Sequence, residues 1–300
     1  MDDKKHKKIF PSAKEDVHHA LKDPVTSPQA LSGAYQLAYT DDEFIMHDEQ
    51  RGVRLQLELA KVEQALQDYQ IEDTIAIFGS ARLNSPGQCE RMIQAAESAL
   101  SANPDSAELQ QRLSAAKRLK ANSHYYHQAR ELARLITESC CQDGLPQLHV
   151  VTGGGPGIME AANRGAHDAD GASIGLNIVL PHEQTPNPYI TPDLCFQFHY
   201  FALRKMHFLL RARALVVFPG GYGTLDELFE TLTLVQTKKI KPLPILIFGR
   251  EYWEKLINFD VLVEEGMISA SDTWLFRYVD TAEEAWRDIK QYLLNHLQEQ

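Results

Sequence analysis

A nine-residue run, Pro219-Gly220-Gly221-Tyr222-Gly223-Thr224-Leu225-Asp226-Glu227, lies between two apolar stretches and limits what the chain around it can become. Ahead of it, Ala214-Leu215-Val216-Val217-Phe218 has the length and unbroken apolarity of a strand buried on both faces. Behind it, Leu228 to Val235 suits a helix laid against a sheet. A strand, a glycine turn and a helix in that order aim bare backbone N–H groups at an anion. Glycines in the turn let a ligand approach the backbone without meeting a Cβ. Gly220, Gly221, Tyr222, Gly223 and Thr224 are therefore the expected phosphate-binding residues.

The same alternation recurs along the chain. Strands are expected at Thr74–Ala81, Leu148–Thr152, Ala172–Leu180, Leu194–Tyr200, Leu243–Phe248 and Trp274–Val279. Helices are expected through Ala169, then at Phe201–Arg213, Tyr252–Glu265 and Ala282–Leu297, the last capped around Asp280-Thr281. This pattern predicts an α/β fold, a Rossmann-like doubly wound parallel sheet with helices on both faces. Such sheets bind ligands beyond the carboxyl ends of their strands. Those ends carry Phe78-Gly79-Ser80 and the run Gly153-Gly154-Gly155-Pro156-Gly157, so Ser80, Gly154 and Gly155 join the expected binding set.

Residues 86–141 hold more helix than one crossover needs, with a break at Pro104-Asp105, which predicts a helical insertion at about 86–124. Residues 1 to about 40, with Lys4-Lys5-His6-Lys7-Lys8, are expected to form a mobile or loosely docked arm. From 41 to 69, Leu55, Leu59, Val62 and Leu66 mark one face of an amphipathic helix. The expected division is an arm and helix over 1–71 and a nucleotide-binding domain over 72–300.

Composition closes off several classes. A net charge of −11 argues against nucleic acid as the main partner. No apolar run approaches the ~20 residues that span a bilayer, and the N-terminus is polar, so no membrane partner is expected. Cys89, Cys140, Cys141 and Cys195 show neither metal nor disulfide spacing. A reduced, cytoplasmic protein is the expected setting. Gly153 to Gly157 lacks the G-x-G-x-x-G spacing of a nicotinamide site, and no G-x-x-x-x-G-K-[ST] signature of a nucleoside triphosphatase is present.

Glu227 has two readings at this stage. Thr224-x-x-Glu227 is a capping-box pattern, in which the carboxylate reaches back to the helix start. Alternatively, a carboxylate one turn inside a phosphate-binding helix is well placed for chemistry on the attached sugar. Arg204-Lys205, near the start of the helix after the 194–200 strand, offers cations at the same edge of the sheet; a guanidinium there clamps phosphate or sugar oxygens bidentately. Glu183, in the proline-rich loop 181–188, is a lesser candidate for contact with sugar or base.

Taken together these residues resemble the Lonely Guy (LOG) family, the cytokinin-activating nucleoside 5′-monophosphate phosphoribohydrolases often labelled lysine decarboxylases. Pro219 to Glu227 matches the family signature P-G-G-x-G-T-x-x-E. The glycine run with Met159, the Phe78-Gly79-Ser80 turn and Arg204-Lys205 occur in the family's order, and the similarity covers about residues 72–298. The chain departs at Phe201-Ala202-Leu203, where the family often has Met-His-x, and at Asp226, a frequent glutamate. The resemblance implies Arg204 and Glu227 as catalytic residues, and the signature's glycines and threonine as the phosphate site, with Lys205 beside them. It also implies a nucleoside monophosphate as substrate, no cofactor or metal, and a homodimer or larger homo-oligomer. The implied reaction cleaves the N-glycosidic bond of AMP or a related nucleotide. Rival readings are a non-catalytic carrier of a phosphate-bearing cofactor, a nucleotide sensor, and a pyridoxal decarboxylase that would need Lys205 as its Schiff-base lysine.

Overall fold

The computed structural model describes residues 10–20, 26–139, 144–181 and 185–297, grouped in two compact units, Met1–Leu59 and Ala60–Gln300. The first holds α1 (Ala13–Ala20), α2 (Asp42–Met46) and the opening of α3 (Arg51–Asp68). Asp41 caps α2 by accepting from the Phe44 N–H at 2.9 Å. Arg54 donates to the carbonyls of Ile45 and His47 at 2.7 and 2.6 Å. None of this unit's described residues is buried, so caps and local hydrogen bonds hold it rather than a core. The single helix expected over 41–69 is interrupted because His47 is extended, and a short turn at Asp48–Gln50 precedes α3.

The second unit runs β1 (Asp73–Phe78), α4 (Pro86–Ala102), α5 (Ala107–Ala121), α6 (His124–Glu138), β2 (Leu148–Thr152), α7 (Ile158–Asp168) and β3 (Ser173–Ile178). It continues through β4 (Cys195–Phe198), α8 (Phe201–Leu210), β5 (Ala212–Val217), α9 (Tyr222–Gln236) and β6 (Ile245–Phe248). α10 (Arg250–Leu256), α11 (Phe259–Glu264), β7 (Arg277–Val279) and α12 (Ala282–Leu297) complete it. The seven strands among the described residues are all parallel, in the order β4-β3-β2-β1-β5-β6-β7. The α/β, Rossmann-like doubly wound sheet predicted from the sequence is present. Ala76 of β1 stands beside Val151 of β2 and Leu215 of β5, so β1 is central. The chain winds outward from β1 to β4, then returns to β5 on the other side. That reversal opens a crevice at the carboxyl ends of β1 and β5.

Strand side chains alternate between two cores, as the twofold period of a strand requires. Ile75, Ile77, Val150, Val216, Phe218 and Phe248 pack with α6, α7 and α12. Ala76, Phe78, Val151, Val217 and Ile247 pack with Val62 and Leu66 of α3, Phe208 of α8, Leu228 of α9 and Trp253 of α10. Each fully buried aliphatic or aromatic side chain here contributes roughly 1.5–3 kcal/mol of transfer free energy.

Three expectations change in detail. The helix expected over 201–213 ends at Leu210, because β5 already pairs with β1 from Ala212. The helix expected over 252–265 is two helices, since Ile257 is extended and Asn258 caps α11 by accepting from the Asp260 N–H at 3.1 Å. The strand expected from Trp274 shortens to Arg277–Val279, behind a 3-10 turn at Ala270–Leu275 opened by a capping box of Ser269 and Asp272. Between β1 and β2, α6 is the crossover that packs on β2, α7 and α12, while α4 and α5 pack on one another. Ser85 and Ser106 cap that pair. Among the described residues no helix is long and apolar enough to cross a membrane.

Candidate active site

The crevice is a cleft of about 670 Å³ walled by the exits of β1, β2 and β5, the first turns of α8 and α9, Tyr252 of α10, and Leu119 and Asn122 around the end of α5. Hydrogen bonds stitch the exits together. The Phe218 N–H donates to the Phe78 carbonyl at 2.8 Å and the Ser80 N–H to that of Pro219 at 3.0 Å. The Ser80 carbonyl accepts from the Ile158 N–H at 3.1 Å, which fixes the start of α7.

The Pro219 turn has the strand–turn–helix form expected of it. α9 begins at Tyr222, with Gly221 as its N-cap and no side chain capping it. The N–H groups of Gly221, Tyr222 and Gly223 have no partner among the described residues, beside the positive end of the helix dipole, while the Thr224 N–H donates to the Gly221 carbonyl at 3.0 Å. Gly220 is required: a Cβ there would stand 2.6 Å from the Thr224 Cβ. Its carbonyl accepts from the Tyr252 hydroxyl at 2.7 Å, which braces the turn from α10. Gly221, Tyr222, Gly223 and Thr224 all line the cleft, Thr224 buried and Tyr222 92% exposed at its mouth.

This helix start also decides between the two readings of Glu227. The capping box would need Thr224 as N-cap, but Thr224 is already helical, so the carboxylate is not consumed there. Glu227 is instead only 6% exposed, on the cleft side of α9, and among the described residues no hydrogen bond reaches its carboxylate. Burial pushes its pKa up to about 7, against the pull of Lys205 and Arg204 and with a further push from Glu230 and Asp226.

Arg204 comes from α8. Its Nε donates to the Leu176 carbonyl of β3 at 2.7 Å, and its guanidinium lies 5.2 Å from the Phe208 ring and 6.0 Å from that of Phe201. Burial lowers its pKa from the ordinary arginine value, and Glu227 opposes that shift. Gly153 makes room for it, since a Cβ there would stand 2.6 Å from Arg204 Nη2 and 2.9 Å from Met159 Sδ. A hydrogen-bond donor fan and a buried carboxylate thus share one wall, below an anion cradle.

Other predicted residues lie elsewhere. Lys205 is not part of the cleft wall: its Nζ pairs with Asp226 at 2.7 Å and Glu230 at 3.2 Å on the flank of α9. Its charge still reaches the site, as the strongest pull on the Glu227 carboxyl, ahead of that of Arg204. Gly154 and Gly155 are also turned away from the cleft. The Gly154 N–H donates to Thr152 Oγ1 at 3.0 Å, and Asn187 Nδ2 donates to both glycine carbonyls, at 3.2 and 3.1 Å. Asn187 also donates to Asn163 Oδ1 at 2.9 Å, which closes a buried network that shapes the turn. Ser80 does line the cleft, and its Oγ accepts from the Arg82 N–H at 3.1 Å. Glu183 lies outside the described residues.

Sequence reading passed over Gly153 as the glycine that touches Arg204, the brace from Tyr252, and the cleft residues Arg82, Leu119 and Asn122. Only Gly153 carried a local signal, as the first glycine after its strand. Among the described residues no group of three or more His, Cys, Asp and Glu side chains could hold a metal ion.

Residues 159–289 match the family described as "Possible lysine decarboxylase". The chain is 30% identical over 153 residues to cytokinin riboside 5′-monophosphate phosphoribohydrolase LOG4 of Arabidopsis thaliana, covering 49% of this chain and 69% of that one. With LOG3 of the same plant it shares 30% over 154 residues, covering 50% and 70%. Among solved structures, the Moco carrier protein of Chlamydomonas reinhardtii superposes with a TM-score of 0.43 at 19% identity, over 75% of this chain and 99% of that one. The 30% identity to LOG4 and LOG3, of which this chain covers 69% and 70%, places the chain in the LOG family of cytokinin riboside 5′-monophosphate phosphoribohydrolase proteins.

Proposed function

We propose that this protein is a nucleoside 5′-monophosphate phosphoribohydrolase, which hydrolyses AMP or a related nucleotide, cytokinin nucleotides included, to free base and ribose 5-phosphate. The observation that carries this reading is the buried carboxylate of Glu227, free of the helix cap and lining the same cleft as Arg204 at the N-terminus of α9.

The 5′-phosphate sits on the Gly221–Thr224 turn at the start of α9, held by the N–H groups of Gly221, Tyr222 and Gly223 and the Thr224 hydroxyl, which fixes the ribose against Glu227. Phosphate binding far from the reacting bond thereby orients the sugar. As the C1′–N bond breaks, its electron pair leaves with the base and positive charge develops on the ribose. The Glu227 carboxylate stabilises that charge and accepts a proton from the water whose oxygen bonds to C1′. The same proton then passes to the departing base, so protons balance. Arg204 orients the substrate and offsets negative charge on the phosphate or the leaving base. Lys205, ion-paired with Asp226 and Glu230 outside the cleft wall, is badly placed to form a Schiff base.

The nucleotide work falls to residues 72–300, with 1–71 as an N-terminal extension whose α3 packs Val62 and Leu66 on the sheet. A homodimer fits the exposed apolar side chains Phe201, Met206 and Leu210 on α8 and Phe229 on α9; light scattering on the purified protein tests it. Hydrolysis is tested with AMP, GMP, CMP, UMP and an isopentenyl-adenine nucleotide, following free base and ribose 5-phosphate, with Glu227→Gln alongside. Base release that the variant abolishes is the expected result. A nucleotide that binds without turnover would replace the hydrolase by a carrier or sensor.

A further inference from the structure

The cleft has a wall that neither the phosphate cradle nor the reacting pair accounts for. Met159 and Phe201 surround Arg204 through the Gly153 gap and the ring contact. The remaining side is built by Leu119, in the last turn of α5, and Asn122, the C-cap of that helix. Neither belongs to the α/β framework: α6 already makes the crossover from β1 to β2, and α4 and α5 are additional to it.

Asn122 is exposed, and one bond marks which end of its amide is which. Its Nδ2 donates to the Arg118 carbonyl at 3.2 Å, a bond that only the nitrogen end can make. Its Oδ1 has no partner among the described residues and is left as an acceptor on a wall of the cleft. Leu119 packs partly on the core below and presents apolar surface next to it. An apolar patch beside one acceptor suits a flat heterocycle that carries an amino group on its edge.

We propose that the helical insertion is the base-reading wall of the site, with Asn122 Oδ1 accepting from the exocyclic amine of the nucleobase and Leu119 covering its face; this rests on the nucleotide reading above. The wall selects adenine and cytosine nucleotides over hypoxanthine and uracil nucleotides. A keto oxygen would face Oδ1 with no proton between them, and turning the amide would break its bond to Arg118.

AMP and IMP are the test pair, since they differ at that edge of the purine. Removing one such hydrogen bond changes selectivity roughly tenfold. Wild type is expected to prefer AMP by about that factor, Asn122→Ala to bring the AMP/IMP ratio in kcat/KM close to one by weakening AMP alone, and Asn122→Asp, which keeps an acceptor, to retain the preference. Inhibition by ribose 5-phosphate, which has no base, should be unchanged in both variants. The same comparison is made by calorimetric binding of AMP and IMP to Glu227→Gln with and without Asn122→Ala, where no turnover is needed. An Asn122-dependent AMP preference in binding, with no turnover by wild type, would sink the hydrolase and keep the wall. An unaltered ratio, equal losses for both nucleotides, or no binding of either would overturn the wall itself.

Discussion

Glu227 should cost this protein stability, and replacing it should return that stability in a pH window set by its own ionisation. Its pKa is raised from 4.5 to about 7 in the fold, chiefly by burial. Between those values the folded state binds more protons than the unfolded chain, so stability falls as pH rises through the window. Above about 7 the carboxylate is ionised in both states and the full cost is present. A displacement of that size corresponds to about 3 kcal/mol, at 1.36 kcal/mol per pH unit. Glutamine has nearly the same shape and never ionises.

Glu227→Gln is therefore expected to be about 3 kcal/mol more stable than wild type at pH 8.5, and less than about 1 kcal/mol more stable at pH 5. Urea unfolding, followed by the emission of the fully buried Trp253, measures both; equal m-values at each pH show that the unfolding reaction itself is unchanged. The same variant should lose base release. A stability difference that does not vary between pH 5 and 8.5, or a variant weaker than wild type at pH 8.5, would refute the claim that burial of this carboxylate dominates its ionisation.

Three further outcomes follow from the same geometry. The kcat/KM profile should rise with pH through an apparent pKa near 7, because the reaction uses the ionised carboxylate; a profile flat from pH 5.5 to 8.5 would remove Glu227 from that role. Gly153→Ala places a methyl 2.6 Å from Arg204 Nη2, the free end of a flexible side chain. The fold should survive it while kcat drops by on the order of a hundredfold, and circular dichroism alongside steady-state kinetics separates the two effects. Tyr252→Phe removes the hydroxyl that donates to the Gly220 carbonyl, which should cost about 1 kcal/mol and raise KM more than it lowers kcat.

The sheet was legible because its strands are buried on both faces, and a run such as Ala214 to Phe218 leaves little else to form. Legibility failed where short range competed with long range. Trp274 to Val279 looks like one strand, yet Ser269 and Asp272 close a capping box that winds 270–275 into a 3-10 turn. Tyr252 to Glu265 has a continuous helical texture, but Asn258 is a better cap than interior residue, and the chain breaks there. At the other end of the scale, β5 starts at Ala212 only because β1 lies beside it, a partner far away in sequence.

The candidate site divides along the same line. The phosphate cradle lies in one continuous stretch, Pro219 to Glu227, so its geometry is written locally. The arginine wall is not. Gly153, Gly154 and Gly155 are indistinguishable as letters, and only the fold shows that the first clears space for Arg204 while the other two join the buried asparagine network. Arg204 and Lys205 are likewise neighbours of similar charge, yet one lies between Gly153 and the Phe208 ring while the other is ion-paired with Asp226 and Glu230. Two glycine turns that look alike thus differ in use: one leaves bare backbone along the cleft at the start of a helix, and the other gives up a side chain so that the Arg204 guanidinium fits there. Exchanging their roles by adding a methyl at Gly153 should leave the phosphate cradle intact and empty the position opposite Glu227, which is why loss of turnover with retained phosphate binding is the outcome to expect there.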